Sequence, residues 1–455
     1  MLILVSLLHL INFRLMQTYL TINKKIKPFN STINVPGDKS LSIRWVLFSS
    51  ISNGNSKAKN LLMSEDVIAS LNMIKKLGIR FKFQKNYCLI FGKGVNGYKY
   101  RKNLKLDAKN SGTLGRLILG LLINSPYKIK LVGDQSLSKR DFNRIAIPLR
   151  KFGANLNLKK NKYLPLTIKG SDNLNSIKYF ENKGSAQCKS SVILAGLRSN
   201  GITFIKAKKS RNHTELLCKY LGLPVKVITK KNIDLIKVNK VDFIKPNNYN
   251  IPSDISSSAF FIVLTALSIN SKLLIKNVNI NPSRTGVITI LKKMGIKIYF
   301  KNKQNYKGEL VSDILVKSPT KIKSINCPKK LNSGAIDEFL VIFLVAAKAS
   351  GISYFKGLSE LNQKESPRLF WGAKILNLMG IKTETTEDSI KIFGNPNLKI
   401  NKKIIIKNYL KDHRVFMSSV IAALSFGGDW KIHDNDSINT SFPTFINIIN
   451  DLKNG

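Results

Sequence analysis

The stretch that decides the fold is residues 35–44, which read Val-Pro-Gly-Asp-Lys-Ser-Leu-Ser-Ile-Arg. β-Branched residues precede its Pro-Gly turn and an apolar run follows it, a pattern typical of a strand, a turn and the start of a buried helix. Either Asp38 or Ser40 can cap that helix. Because a helix start presents free N–H groups and a positive dipole, Lys39, Ser40 and Arg44 beside it predict a phosphate cradle. The alternative is an ordinary capped helix with solvated Lys and Arg side chains.

The chain is long and strongly basic. Its 455 residues are 43% hydrophobic and 9% aromatic, which is enough for two or more domains with large cores. The net charge of +49 leaves a basic nucleic-acid-binding protein as one alternative. Because the Lys residues are scattered through every segment and do not cluster, we interpret most of this charge as a solvated surface.

The four cysteines, at positions 88, 188, 218 and 327, have no paired spacing, and the four histidines form no cluster with them. The pattern therefore predicts neither a disulfide framework nor a metal site, and it fits a reducing cytoplasm.

The first fifteen residues are apolar, but they are too short to span a bilayer and lack the basic start and small-residue cleavage site of a secretory signal. We predict that residues 1–15 are a non-native or disordered extension and that Met16 is the initiator.

A repeated pattern runs along the chain, in which a helix-like segment ends in an apolar residue and Gly and is followed by alternating strand-like residues. The glycines lie at positions 78, 153, 222, 295, 380 and 455, at intervals of roughly 70–85 residues. The spacing predicts six α/β units of similar size, each with two helices and several short strands. The simplest division is three plus three, with a boundary near residues 250–253.

Polar side chains also precede several other apolar helices. These stretches are Asn110–Thr113 with Arg116, Gly184–Gln187, Ser210–Glu215, Asp337-Glu338, Lys364–Arg368 and Asp412–Arg414. Each alone is typical of a helix cap, with a capping box from Ser210 or Asn212 in the third. Together they predict that several helix N-termini converge on a polyanionic ligand.

Taken in order from about Thr18 to the C-terminus, these motifs resemble the enolpyruvyl transferase family. The resemblance implies an α/β fold of two similar domains, each of three βαβαββ repeats, in the arrangement known as an inside-out α/β barrel, with the ligands between the domains. It further implies that the first domain is discontinuous, from residues 16–36 and 253–455, and that residues 37–252 form the second.

The resemblance also implies a reaction. The enolpyruvyl group of phosphoenolpyruvate is transferred to the 5-hydroxyl of shikimate 3-phosphate by addition and loss of phosphate, a step of the shikimate pathway to chorismate and the aromatic amino acids. By resemblance Asp337 is the base, Glu365 the acid and Lys39 a neighbour of both substrates, with no metal or organic cofactor and a monomeric enzyme without membrane partners. Within the same fold, a UDP-N-acetylglucosamine enolpyruvyl transferase remains an alternative, although none of the four cysteines lies in the Gly-rich loop typical of that enzyme.

The implied substrate contacts fall into two sets. Those for shikimate 3-phosphate are Lys39, Ser40, Arg44, Ser185, Gln187, Ser210, Asp337 and Lys364. Those for phosphoenolpyruvate are Lys39, Gly112, Arg140, Gln187, Arg368 and Arg414. Asn110, Thr113 and Ala186 belong to the same motifs and complete the predicted substrate-binding residues.

Overall fold

The computed structural model describes residues 19–454. The predictions about residues 1–15, Met16 and the last repeat glycine, Gly455, therefore lie outside the described residues.

The described residues form 22 strands and 13 α-helices. The strands are β1 (Tyr19–Ile22), β2 (Asn30–Asn34), β3 (Asn53–Lys59), β4 (Arg80–Gln84), β5 (Tyr87–Lys93), β6 (Lys105–Asp107), β7 (Ile129–Val132), β8 (Asn155–Lys159), β9 (Tyr163–Lys169), β10 (Lys178–Glu181), β11 (Thr203–Lys208), β12 (Val225–Lys230), β13 (Ile233–Val238), β14 (Tyr249–Asn250), β15 (Lys272–Asn279), β16 (Lys297–Tyr306), β17 (Glu309–Lys317), β18 (Gly351–Phe355), β19 (Thr383–Thr385), β20 (Ile390–Gly394), β21 (Lys403–Ile406) and β22 (Asp429–His433). The helices are α1 (Lys39–Ser50), α2 (Glu65–Lys76), α3 (Gly112–Leu121), α4 (Asn143–Lys151), α5 (Ala186–Gly196), α6 (His213–Leu221), α7 (Ile255–Leu267), α8 (Gly286–Lys293), α9 (Asn332–Ala335), α10 (Phe339–Lys348), α11 (Arg368–Met379), α12 (His413–Phe426) and α13 (Phe445–Asn454).

Four sheets share one topology, in which two parallel strands are followed by an antiparallel hairpin. Their orders are β6-β7-β9-β8, β10-β11-β13-β12, β14-β3-β5-β4 and β2-β15-β17-β16. The unit over residues 178–238 runs β10-α5-β11-α6-β12-β13, which is one complete βαβαββ repeat. The predicted α/β repeat architecture is confirmed.

Three strands complete units that lie far away in the sequence. β14 pairs in parallel with β3, β2 pairs in parallel with β15, and β1 pairs antiparallel with β22. The remaining sheet, β18-β20-β19, has isolated parallel bridges at Lys323–Ser350 and Asn326–Tyr354 in place of a first strand. The chain therefore leaves the sheet of β2 and β15 after β2, and it returns to that sheet only after β14 has paired with β3.

Repeat glycines end five helices as the spacing predicts. The glycines at 78, 153, 222, 295 and 380 all have φ between 70° and 108°, and each is followed by a strand. Since this left-handed region disfavours a side chain, Gly is the natural residue at these helix ends.

Buried apolar side chains form two clusters, one drawn from residues 41–251 and the other from residues 22–35 and 255–452. Six helices, α1, α3, α5, α7, α10 and α12, are buried along nearly their whole length, because their sequences are apolar on most faces. The polar motifs of the sequence lie at the N-termini of five of these helices, α1, α3, α5, α10 and α12, and of two others, α6 and α11. No helix within residues 19–454 is long and apolar enough to cross a membrane.

Candidate active site

The chain crosses between the two clusters twice, and the crossings lie side by side. Asp38 N donates to Pro252 O at 2.8 Å, Asp254 N donates to Pro36 O at 3.1 Å, and Gly37 bridges Ser253. A Cβ on Gly37 would lie 2.1 Å from the carbonyl oxygen of Asn60, so only glycine fits there. The first motif of the sequence is therefore part of the connection between the domains.

Asp38, and not Ser40, caps helix α1 through a 2.8 Å bond from Leu41 N to Oδ1. The amide of Lys39 donates to Asp254 Oδ2 at 3.1 Å. The expectation of a row of free amides is therefore wrong here, because two of them already have carboxylate partners. The helix start instead presents the Lys39 side chain, whose Nζ lies 3.0 Å from Asp66 Oδ2. Burial raises the pKa of Asp66, and Lys39 opposes that shift.

Arg44 is only 3% exposed. Its Nε donates to Thr214 at 2.8 Å, and its two terminal nitrogens donate to Ser190 Oγ at 3.2 Å and to the backbone oxygen of Ser40 at 3.1 Å. Burial lowers its pKa to about 10. Arg44 is thus held by hydroxyls of α5 and α6, and its predicted contact with a substrate stays a prediction.

The starts of α3 and α5 lie side by side. Ser111 and Ser185 cap these helices by accepting from Leu114 N and Cys188 N, each at 3.3 Å. In the first turn of α5, the Gln187 amide donates to Thr113 Oγ1 at 3.0 Å and accepts from Arg116 at 2.5 Å. These bonds join two motifs that are 74 residues apart in the sequence.

Arg140 approaches the same place from the loop before α4. It donates to Asn110 Oδ1 at 3.0 Å and lies 3.1 Å from Glu365 Oε1, which belongs to the other cluster. A Cβ on Gly112 would lie 3.1 Å from a nitrogen of Arg140 and 3.1 Å from one of Arg116. The glycine therefore leaves space in which both guanidinium groups can meet a ligand.

Asp337, the predicted base, is surrounded by cations. Its carboxylate lies 2.5 Å from Arg211, 3.2 Å from Lys364 and 3.5 Å from Arg368, and its backbone oxygen accepts from Arg414 at 2.8 Å. Burial alone would raise the pKa of Asp337, but these cations hold it well below its usual value. The carboxylate is therefore ionised at neutral pH, as a base must be.

Glu365, the predicted acid, contacts Arg368 as well as Arg140. Burial would raise the pKa of Glu365, but Arg368 and then Arg140 hold it well below its usual value. Arg368 is 2% exposed, and its Nε also donates to Asp412 Oδ2 at 2.9 Å. One buried guanidinium thus joins the two predicted catalytic carboxylates and the cap of α12.

Two predicted residues offer less than expected. Ala186 is the first residue of α5 and has no polar side chain, and Ser210 Oγ is buried without a hydrogen-bond partner among residues 19–454. The predicted capping box at α6 is wrong, because Asn212 precedes the helix but its side chain does not cap it. Asn212 Oδ1 instead accepts from Asn281 Nδ2 at 2.9 Å, across the two clusters.

The structure adds residues that the sequence did not assign to catalysis or substrate binding. Arg211 pairs with Asp337, Asp66 pairs with Lys39, and Arg116 orients Gln187. Arg211 and Arg116 lie within motifs already recognised, so their positive charge was the available signal. Asp66 lies in the first turn of α2 and belongs to none of those motifs.

Within residues 19–454 no group of three or more His, Cys, Asp or Glu residues is arranged to hold a metal ion. The four cysteines are buried and unpaired.

The site as a whole lies between the two clusters and is rich in positive charge. Cations come from both sides: Lys39, Arg116, Arg140 and Arg211 from one, and Lys364, Arg368 and Arg414 from the other. Such a constellation binds phosphate and carboxylate groups. Fold and site together define a two-domain α/β protein of the enolpyruvyl transferase class.

Comparisons with known proteins agree. The enolpyruvyl transferase NikO from Streptomyces tendae aligns with a TM-score of 0.74 at 12% identity, over 95% of this chain and 97% of that one, which shows the shared fold. EPSP synthase from Acinetobacter baumannii aligns with a TM-score of 0.84 at 36% identity, again over 95% and 97% of the two chains. A 3-phosphoshikimate 1-carboxyvinyltransferase from Ruthia magnifica subsp. Calyptogena magnifica is 40% identical over 431 residues, 94% of this chain and 97% of that protein.

A family model described as EPSP synthase (3-phosphoshikimate 1-carboxyvinyltransferase) matches residues 23–449. The chain belongs to the EPSP synthase family.

Proposed function

We propose that this protein transfers the enolpyruvyl group of phosphoenolpyruvate to the 5-hydroxyl of shikimate 3-phosphate and releases phosphate. In this role it is a transferase of the shikimate pathway, which leads to chorismate and the aromatic amino acids. The observation that carries the proposal is the position of Arg368, which contacts both Asp337 and Glu365 in a site supplied with cations from both domains.

The chemistry needs three proton transfers. Asp337 takes the proton of the 5-hydroxyl while that oxygen bonds to C2 of phosphoenolpyruvate, and Glu365 gives a proton to C3. In the second half, the Glu365 carboxylate takes a proton back from C3, the electrons of that C–H bond form the C2–C3 double bond, and the bond between C2 and the phosphate oxygen breaks so that phosphate leaves. Lys39, 3.0 Å from Asp66, lies where it can stabilise charge on either substrate.

Glu365 needs a proton to act as the acid, yet it is ionised in the free protein because Arg368 and Arg140 face it. We propose that the carboxylate and phosphate of phosphoenolpyruvate replace Glu365 as the partners of these arginines. The pKa of Glu365 then rises, since burial is no longer opposed by those cations. Substrate binding thereby loads the acid with its proton.

The remaining contacts are assigned by position. We propose that shikimate 3-phosphate meets Lys39, Ser40, Arg44, Ser185, Ala186, Gln187, Ser210, Asp337 and Lys364, and that phosphoenolpyruvate meets Lys39, Asn110, Gly112, Thr113, Arg140, Gln187, Arg368 and Arg414. Arg211 joins the first group, because its guanidinium shares the Asp337 carboxylate with Lys364.

We also propose that the domains are residues 16–36 with 253–455 and residues 37–252, a division that the two apolar clusters support. A cytoplasmic monomer without nucleic-acid or membrane partners completes the proposal. The four buried, unpaired cysteines support a reducing compartment. Light scattering on the protein as it elutes from a size-exclusion column gives its molar mass and so tests whether it is a monomer. A salt titration with duplex DNA tests nucleic-acid binding.

The test of the function is phosphate release from phosphoenolpyruvate with different acceptors. Release is expected with shikimate 3-phosphate and not with UDP-N-acetylglucosamine. Release with the nucleotide sugar alone favours the other transferase of this fold. No release with either acceptor, at any substrate concentration, contradicts the proposal.

A further inference from the structure

Arg284 lies at the point where the two crossings meet. It precedes α8 and is 2% exposed. One of its terminal nitrogens lies 3.2 Å from Asp38 Oδ2 on the outgoing crossing, and the other lies 3.3 Å from Asp254 Oδ1 on the returning crossing. Asp38 and Asp254 are themselves buried, so their negative charges depend on this guanidinium.

The two carboxylates that Arg284 contacts also hold Lys39. Asp38 directly precedes Lys39 in the chain and caps α1, while Asp254 accepts from the Lys39 amide at 3.1 Å. Arg284 therefore fixes the backbone of Lys39 from two sides. A shift of the guanidinium changes where α1 begins relative to the other domain.

A second set of bonds leads from the same guanidinium to Asp337. Arg284 donates to Ser256 Oγ at 2.8 Å, and Ser256 in turn donates to the Glu338 carboxylate. Glu338 is 1% exposed and directly follows Asp337. Its Oε1 also lies 3.8 Å from Arg414, which holds the Asp337 backbone oxygen.

A third contact crosses to α6. The same nitrogen of Arg284 that faces Asp38 lies 3.3 Å from His213 Nε2, so Nε2 accepts and Nδ1 donates to Glu309 at 2.7 Å. Glu309 also accepts from Asn281, which holds Asn212 just before α6. The guanidinium thus has partners in both domains and in both crossings.

We propose that Arg284 is a positioning residue, which sets the separation of Lys39 and Asp337 by holding both interdomain crossings and the Ser256–Glu338 pair at once. Arginine suits this position because its planar fork gives several donors in fixed directions, which a lysine ammonium cannot reproduce. The proposal rests on the proposed function only for its kinetic test, since the geometry can also be followed without turnover.

The first experiment compares Arg284→Lys with the wild type in the phosphate-release assay. The lysine keeps the charge between the buried carboxylates but cannot reach all of the partners. We expect kcat to fall by ~10–100-fold, because small misplacements of reacting groups have effects of that size, with both KM values changed by less than about threefold.

A matched control is Arg198→Lys. Arg198 is also buried, at 7% exposed, and donates to Val95 O and Asn96 Oδ1. It follows the C-terminus of α5, whereas the predicted site lies at the N-terminus of that helix. The two ends of this 11-residue helix are about 16 Å apart. We expect this variant to lower the melting temperature as much as Arg284→Lys and to keep wild-type kcat.

Amide hydrogen exchange provides a readout that needs no activity. In Arg284→Lys, the peptides covering residues 36–41 and 334–341 should exchange about tenfold faster than in the wild type, whereas Arg198→Lys leaves both unchanged. Wild-type protein without phosphate release contradicts the proposed function, but the exchange pattern still decides the role of Arg284.

The proposal is overturned if Arg284→Lys keeps the wild-type kcat, or if faster exchange is confined to residues 281–286. Arg284 would then contribute only to the stability of the fold. If Arg284→Lys does not fold, the double variant Arg284→Gln with Asp38→Asn removes the cation together with one buried carboxylate while keeping a capping side chain. A recovered melting temperature with kcat still low supports positioning, and recovery of both overturns it.

Discussion

The two faces of the candidate site differ in the charges that they bring. The face from residues 37–252 brings mainly cations: Arg140 and Arg211 contact carboxylates of the opposite face, while Lys39 pairs with Asp66 of its own face. The opposite face carries both predicted catalytic carboxylates, Asp337 and Glu365, among its own cations. In the proposed reaction, both faces bind anionic groups, but the proton transfers are assigned to the carboxylates of one face. Neither face alone can perform the proposed reaction.

The largest effect is expected from Asp337→Asn, on the face that carries the two predicted catalytic carboxylates. The variant keeps the size of the side chain but removes the base, so kcat should fall by about 10³-fold, while KM for either substrate changes by less than about threefold. Steady-state phosphate release measures both quantities.

Asp313→Asn is the matched control for that experiment. Asp313 lies within strand β17 and pairs with Lys276 at 2.7 Å, whereas the site residues lie at helix N-termini. The Asp313→Asn variant should therefore keep full turnover. Full turnover in Asp337→Asn would show that the base is assigned to the wrong residue.

Glu365→Gln tests the acid on the same face. We expect kcat to fall by about 100-fold, because the side chain can no longer release a proton to C3. Calorimetry in buffers of different ionisation enthalpy should also show that the variant takes up fewer protons than the wild type when it binds phosphoenolpyruvate. Equal proton uptake in both proteins would contradict the loading of Glu365 by substrate.

Substitutions of arginines on the two faces should separate the two substrates. Arg414→Ala should raise KM for phosphoenolpyruvate by ~30-fold, and Arg211→Ala should raise KM for shikimate 3-phosphate by a similar factor, since each charge-assisted contact contributes about 2 kcal/mol. Each variant serves as the control for the other. If both variants weaken the same substrate, the division of contacts is wrong.

The smallest effect is expected where the two faces meet, at His413. Burial, and next Lys39 from the opposite face, lower the pKa of His413 to about 3. Below the usual histidine pKa of about 6.5, the unfolded chain takes up a proton that the folded protein refuses, so stability falls as the pH falls.

Urea unfolding at pH 6.5 and 5.5 measures this contribution. The wild type should lose about 1 kcal/mol more than His413→Asn over this interval. An identical loss in both proteins would show that His413 titrates normally in the folded state.

The repeat architecture could be predicted from the sequence because its signals are local. Glycines at fixed intervals, with φ values such as 85° at Gly78, mark helix ends whatever the rest of the chain does. The polar motifs likewise lie at helix N-termini, where Ser111, Ser185 and Asp412 cap as their residue types suggest.

What the sequence did not reveal depends on contacts between distant segments. The pairing of β14 with β3 and of β1 with β22 leaves no local trace, since each strand is short and completes a unit elsewhere. For the same reason the sequence did not reveal the role of Asp66, which depends on its ion pair with Lys39. It also did not reveal that the Asn212 side chain accepts from Asn281 and does not cap its own helix.

The most direct test of the proposed proton transfers is the reaction of the wild type in D₂O, followed by mass spectrometry of the product. Because the proposed reaction adds a solvent-derived proton to C3 and later removes one of three equivalent hydrogens, deuterium should appear in the methylene group of the product. The Glu365→Gln variant should form the product more slowly, and the product that it does form should carry deuterium in the same methylene group. Phosphate release by the wild type without deuterium in the methylene group would contradict addition and elimination, and with it the roles given to the carboxylate face.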